Sequence, residues 1–396
     1  MKLMNEQQKD LVRATIPVLQ SSGVALTTHF YQRMLNHNPE LKHIFNQGHQ
    51  GAGQQQQALA GAVLAYASHI DDPSVLLPVV ERIAHKHVSL GIRAEHYAIV
   101  GKHLLASIQE VLGDAATPEL IDAWAAAYGK LAELFIDLES SFYQQSVDAA
   151  GGWSGWRPFR IVRKQAESAE ITSFYMQPID GGSLPDYQPG QYISLRVYVE
   201  ELGIYQPRQY SLSDMAGANQ FRISVKRQGA SETTPEGKVS NLLHANYDVG
   251  QLVELSAPGG EFYLQQSNRP VVLLSGGVGI TPMIAIGKTL HQQGQREIHF
   301  VHSARNSQVH AFKSVSDAFA EKGAKVHYFY DKPQADEAYA RTAPFAIADV
   351  LPSAPLEAEY YLCGPLPFMR HYISELKAHG VPETQIYAEA FGAGGV

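Results

Sequence analysis

What most limits this chain's fold is a change of hydrophobic period near residue 150. Before it, apolar residues recur mostly at intervals of three and four: Leu26, Phe30 and Leu35; Leu59, Ala62, Val63 and Tyr66; Val100, Leu104 and Ile108; Leu131, Leu134, Phe135 and Leu138. That interval marks one face of an α-helix. Breaks fall at Pro39, at NQGHQGAG (46–53), at Asp71-Asp72-Pro73 and at GDAATPE (113–119). Asn38-Pro39 and Thr117-Pro118 put proline at a first helical position. The spacing predicts helices of mostly 10–20 residues and an all-α domain over residues 1–147.

AAGGWSGWRPFRIV (149–162) then punctuates with Gly151, Gly152 and Gly155, and the period falls to two. ITSFYMQP, GQYISLRVYV, RQYSLS, FRISVKR and QLVELSAP are short, β-branched and aromatic. They predict an antiparallel β-barrel domain over 148–267. After Arg269-Pro270, the apolar run VVLLS is followed by glycines and a helical pattern, and EIHFVHSAR, KVHYFY and EYYLCGP repeat the alternation. Strands alternating with helices predict an α/β domain with a parallel sheet over 268–396.

A chain of 396 residues with 45% hydrophobic and 18% charged residues has an ordinary globular composition. Its formal charge of −8 argues against a nucleic-acid or anionic-membrane partner. MKLMNEQQKDLV lacks the apolar core of a signal peptide, and no apolar run approaches the ~20 residues of a membrane span. With Cys363 as its single cysteine, no internal disulfide can form. A cytoplasmic protein is expected.

ERIAHKHVSL (81–90) carries two histidines on one expected helix. Leu76, Val80, Ile83, Ala84, His87 and Val88 share a face, and His85 lies about 200° from His87 at ~100° per residue. His87 is expected to face the core and His85 water. A lone inward histidine is ordinarily a core residue bonded to a backbone carbonyl; the alternative is a metal or haem ligand. Zinc needs three or four ligands, and no HExxH or Cys/His pair is present. Haem needs one protein ligand. HFYQRML turns Tyr31 inward beside Phe30 and Met34, and Phe45 in LKHIFN can pack on a flat ring.

ATIPVL, HFYQRML, NPELKHIFN, AYASHI, KHVSLGI, YAIVGKHLL and AYGKLAELFI together resemble the haem domain of flavohaemoglobins, and the later motifs resemble the same family. The resemblance covers nearly the whole chain. It implies that His87 is the proximal iron ligand of haem b, Tyr31 the distal hydroxyl and Phe45 the haem-packing aromatic. It also implies a distal glutamine in the tract 54–57. Counting from Phe45 gives Gln55, four residues before Leu59 and seven before Ala62, with Gln54 and Gln56 pointing elsewhere. Tyr97 and Glu139 are implied to form a hydrogen-bonded set behind His87. A carboxylate that accepts the second imidazole N–H gives the ring anionic character, which favours oxygen activation over storage.

In the second half, RQYSL (208–212) resembles the flavin signature of the ferredoxin-NADP reductase family. By that resemblance Arg208 meets a flavin phosphate, Tyr210 lies against the isoalloxazine, Ser211 lies near its redox nitrogen, and Gln209 belongs to the FAD site. Tyr192 in PGQYISL (189–195) is a second flavin contact. In GKVSNLLH (237–244) Ser240 or Asn241 suits a helix N-cap, and Ser240 is assigned to the phosphate-binding helix start. LLSGGVGITPM (273–283) has the strand, glycines and helix of a phosphate cradle and resembles the family's G-x-G-x-T-P nucleotide loop. Gly277 and Gly279 allow close backbone approach, with Val278 and Ile280 between and after them. Thr281 can donate to phosphate or carboxamide, and Pro282 fits the first helical turn. YYLCGP (360–365) would set Cys363 beside the nicotinamide, and AEAFG (388–392) would set Phe391, followed by Gly392, over the flavin.

Haem, FAD and NAD(P)H on one chain imply an electron path. The resemblance implies nitric oxide dioxygenation, with nitric oxide, oxygen and NAD(P)H as small-molecule partners. The alternatives are an oxygen sensor or store, and a reductase of peroxides or ferric chelates.

Overall fold

A capping box starts the first helix: Asn5 accepts from the Gln8 N–H while the Gln8 side chain accepts from the Asn5 N–H. Two donors that a helix start leaves orphaned are thereby satisfied. The computed structural model describes all residues except 1–3, 47, 49, 50, 52, 218, 231–234, 336, 338 and 393–396. The expected break at 46–53 therefore lies partly outside the described residues. Helices α1 (Glu6–Ala14), α2 (Ile16–His37), α3 (Gln54–Ser68), α4 (Leu77–Leu90), α5 (Ala94–Leu112) and α6 (Pro118–Asp148) make the first part of the chain. Thr117 caps α6 by accepting from the Leu120 N–H, with Pro118 at the first position.

Helix α6 runs 31 residues, longer than the spacing predicts. Its apolar stripe does not end; it passes from one core to a second. Trp124 packs with Phe30, Met34 and Leu104, and Phe135 packs with Val80, Ala84 and Tyr97. Asn38-Pro39 opens a 3₁₀ turn, Pro39–His43, rather than an α-helix. Gly91, at φ +79°, ends α4 in the left-handed conformation that glycine adopts without strain.

The second part opens with β1 (Arg157–Ala166), β2 (Ile171–Pro178), β3 (Tyr192–Val199), β4 (Ile204–Ser211), β5 (Phe221–Lys226) and β6 (Leu252–Leu255). They form one sheet in the order β4-β3-β6-β1-β2-β5, with β1 antiparallel to β2 and β6, and β2 antiparallel to β5. Just past β4, Leu212 bridges Ile223 of β5 and the Ser213 N–H donates to the Arg222 carbonyl at 2.9 Å. The two ends of the sheet thus meet, which closes it into a barrel over Phe159, Phe174, Phe221 and Ile223, all buried.

A parallel sheet follows, with strands β7 (Val271–Gly276), β8 (Ile298–Ala304), β9 (Lys325–Tyr330), β10 (Arg341–Thr342), β11 (Glu359–Cys363) and β12 (Ile386–Glu389). Its order is β10-β9-β8-β7-β11-β12. Val271 to Leu274 are wholly buried, as a strand covered on both faces requires. The order reverses between β7 and β11, where open parallel sheets bind ligands.

By its contacts the chain forms two units: Met1–Trp156 with Arg196–Arg208, and Arg157–Leu195 with Gln209–Val396. The hairpin 196–208 therefore groups with the helices, and the rest of the first sheet shares the second unit with the parallel sheet. Among the described residues no helix is long and apolar enough to cross a membrane.

Candidate functional site

In the helical unit, α4 presents His87 to α5 and α6. Nδ1 of His87 lies 2.7 Å from Glu139 Oε1 and 3.0 Å from the Tyr97 hydroxyl. The Tyr97 hydroxyl donates to the same Oε1 at 2.5 Å. An ionised carboxylate can only accept, so the imidazole proton sits on Nδ1 and the lone pair on Nε2. Among the described residues Nε2 makes no hydrogen bond. The Glu139 side chain is 3% exposed and that of His87 31%. Burial first, and then the neighbouring Glu139 carboxylate, pushes the Tyr97 hydroxyl pKa well up, so Tyr97 stays a donor. Tyr128 donates to the Tyr97 carbonyl at 2.6 Å, and the Phe135 ring lies 5.5 Å from the His87 ring.

His85 points away from this cluster, as helical phase predicts, but it does not face water. It is half-buried and stacks on Phe142, ring centres 4.1 Å apart and planes 9° apart. The length of α6 explains the correction: its last turns cover the flank of α4 that a shorter helix would leave open.

Across the same unit Tyr31 is buried, edge-on to Phe30 at 5.0 Å and to Phe45 at 5.8 Å. Burial pushes its hydroxyl pKa up. The tract at the start of α3 separates by exposure: Gln54 and Gln57 are exposed, Gln55 is half-buried and Gln56 is buried. The Gln56 backbone carbonyl accepts from Thr27 Oγ1 of α2 at 2.8 Å, which turns that face toward the helix pair.

In the second unit Tyr192 is buried beside Gly260, whose positive φ of +108° leaves no room for a side chain: a Cβ there would stand 2.7 Å from the ring. Gln209 is exposed, Tyr210 half-buried and Ser211 buried. Arg208, which groups with the helical unit, is half-buried, and its guanidinium donates to the Pro207 carbonyl at 2.6 Å. The helix expected to be capped by Ser240 or Asn241 begins earlier: α7 spans Lys238–Asn246 with Gly237 as its cap. Ser240 is its third residue, accepting from the Gln228 N–H at 3.2 Å and donating to the Gly237 carbonyl at 3.0 Å. The Asn241 amide donates to the Gln228 and Gly237 carbonyls. Both polar side chains tie the preceding loop to the helix rather than start it.

At the switch point, Gly277 has φ +54° and open space before it, whereas a Cβ on Gly279 would stand 2.1 Å from the Cys363 carbonyl oxygen. At Gly279 the close backbone approach is to the end of β11. Thr281 is buried and donates to the Val278 carbonyl at 3.0 Å, so its hydroxyl proton is already used. Val278 is half-buried, while Ile280 and Pro282 are buried in the first turn of α8 (Ile280–Gln293). Cys363 is wholly buried, which pushes its thiol pKa well up. Phe391 is 47% exposed and Gly392 follows it half-buried.

The structure thus brings together His87, Tyr97 and Glu139, then Tyr31 and Phe45, and in the other unit the loop 277–282 and Cys363. Sequence reasoning passed over Tyr128, although it shares α6's inward face with Phe135 and Glu139, seven and eleven residues on. It also passed over Gln206, a wholly buried amide on β4 with no sequence signal.

Three families match successive parts of the chain: Globin over residues 28–134, Oxidoreductase FAD-binding domain over 158–263 and Oxidoreductase NAD-binding domain over 273–373. The chain is 55% identical to a flavohemoprotein of Chromobacterium violaceum, covering 99% of both. It is 57% identical to one of Bordetella pertussis, covering all of both. The crystal structure of a Malassezia yamatoensis flavohemoglobin with bound FAD and haem is similar at TM-score 0.87 and 29% identity, covering 98% of this chain and 99% of that one. The FAD/NAD-binding domain of a Vibrio cholerae nitric oxide dioxygenase is similar at TM-score 0.56 and 39% identity, covering 60% of this chain and 98% of that one.

Proposed function

Because the chain belongs to the flavohemoprotein family, and is an oxidoreductase of haem, FAD and NAD, we propose that it converts nitric oxide and oxygen to nitrate. The observation that carries this reading is the carboxylate behind His87. Bound haem would supply oxygen binding and one-electron chemistry, and bound FAD the conversion between two-electron and one-electron transfer. His87 would hold the iron through Nε2. Glu139 draws on the Nδ1 proton at 2.7 Å, which raises the basicity of Nε2 and suits oxygen activation. Tyr97 donates to the same oxygen and holds the carboxylate in place.

Tyr31 and Gln55 would be the donors for negative charge developing on oxygen, the interaction that most lowers such barriers. Phe45 would pack against the haem. For the flavin we assign Tyr192, Arg208, Gln209, Tyr210, Ser211 and Ser240. For the nicotinamide nucleotide we assign residues 277–282 and Cys363, with Phe391 and Gly392 at the flavin's open face. These sites divide the chain into a haem domain (1–147), a flavin domain (148–267) and a nucleotide domain (268–396). A reducing cytoplasm suits its single, buried thiol.

The balance is two nitric oxide, two oxygen and one NAD(P)H giving two nitrate, NAD(P)⁺ and one proton. Oxidation of NADH by the purified protein should accelerate only when nitric oxide and oxygen are both present, with two nitrate formed per NADH. NADH oxidation indifferent to nitric oxide would reject the reading.

A further inference from the structure

Strand β4 stands at the end of the sheet order, so its first residues run along an edge. Edge N–H groups need partners. Here the Tyr205 N–H donates to His43 Nδ1 at 3.1 Å. The next residue, Gln206, is wholly buried. Its amide nitrogen lies 3.0 Å from the Lys42 carbonyl, 3.4 Å from the Phe45 carbonyl and 3.0 Å from the Tyr205 carbonyl. The two amide protons are thus shared among three acceptors, two of them at the end of the 3₁₀ turn Pro39–His43, where carbonyls lack helical partners. A buried carboxamide is costly unless bonded, so this position holds its amide donor for the turn.

Tyr205 is held in turn. The Arg196 guanidinium lies 4.6 Å from the Trp156 ring and 5.0 Å from the Tyr205 ring. All of these residues lie within one unit. The turn they fix carries Phe45, which meets Tyr31 edge-on at 5.8 Å. Two residues past Gln206, the same strand becomes the Arg208-Gln209-Tyr210-Ser211 motif.

We infer that Gln206 is a positioning residue for electron delivery from flavin to haem: its amide ties the strand that carries the flavin motif to the turn that sets Phe45. The inference rests on the proposed assignment of those two sites.

The test uses the full-length holoprotein with Gln206→Leu and Gln206→Glu. One arm measures hydrogen exchange of the Ile44 and Phe45 amides; the other follows flavin and haem reduction separately by stopped flow after mixing with NADH. Gln206→Leu should speed exchange and slow haem reduction, each by tenfold or more, with flavin reduction within twofold of the unaltered protein. Gln206→Glu should be equally slow at neutral pH, where a carboxylate meets carbonyls. It should recover several-fold at pH 5, where the protonated acid regains a donor, and Gln206→Leu should not recover. Haem reduction unchanged in Gln206→Leu, or no acid recovery in Gln206→Glu, overturns the inference alone. If the unaltered protein shows no NADH-driven haem reduction, the underlying assignment falls and the inference with it.

Discussion

Glu139 Oε1 receives hydrogen bonds from both Tyr97 and His87 while nearly sealed from water. The two donors compete for one charge, so removing either partner of His87's bond has opposite effects. Tyr97→Phe leaves the carboxylate's full charge to His87, making it a stronger electron donor and lowering the haem midpoint potential. Glu139→Gln removes the charge and raises it. A hydrogen bond to a charged group is worth about 1.5–3 kcal/mol. For one electron that bounds each shift at about 60–130 mV. Spectroelectrochemical titration of both variants checks the signs, and shifts in the same direction would rule out this competition. The two histidines separate as cleanly. His87→Ala should abolish stable haem binding. His85→Ala should keep the haem spectrum and cost about 0.5–1.5 kcal/mol, the worth of an aromatic pair beyond its buried area, read from chemical unfolding.

At the scale of elements, close approach decides more than propensity. Helices α5 and α6 cross at Gly101, where a Cβ would come 2.5 Å from the Tyr128 ring. That ring's hydroxyl holds the Tyr97 backbone, so the glycine serves the proximal cluster indirectly. The loop after β7 shows the same logic twice over. Gly277→Ala should cost about 1–2 kcal/mol for its left-handed backbone and weaken NAD⁺ binding, because its side chain enters open space. Gly279→Ala must displace the Cys363 backbone and should cost about 3 kcal/mol or more. Calorimetry and NAD⁺ titration of the pair distinguish them; equal destabilisation would mean that β11 can yield to Gly279.

At the scale of the whole molecule the two units should respond differently to acid. His302 and His310 are buried in the second unit, ring centres 4.4 Å apart, with Nδ1 bonded to Ser275 and Tyr330. Burial lowers both pKa values, that of His310 to about 3 from an ordinary 6.5. Between those limits the unfolded chain binds more protons than the folded one. Stability is therefore full above pH 6.5 and falls as pH drops through that window, by about 1.4 kcal/mol per pH unit for each imidazole. Acid titration followed by tryptophan-independent probes, flavin fluorescence and haem absorbance, should show the flavin signal lost first; haem lost first would contradict it. Much of the architecture behind this was legible beforehand. Hydrophobic period, the Thr117-Pro118 start, the glycine-rich loop and the phase of His87 against His85 are local properties, because backbone geometry repeats every residue and a short window displays it. A local window was therefore enough to tell helical from strand regions, to order them, and to set His87 and His85 on opposite flanks of one helix. Other contacts needed the packed chain: Glu139 meets His87 across 52 positions, which only the family resemblance had implied, Phe142 shields His85, Gly279 packs on Cys363 and Gln206 bonds the turn before Phe45. Each of these depends on where a distant element passes, which follows from packing the whole chain and leaves no mark on the residues nearby.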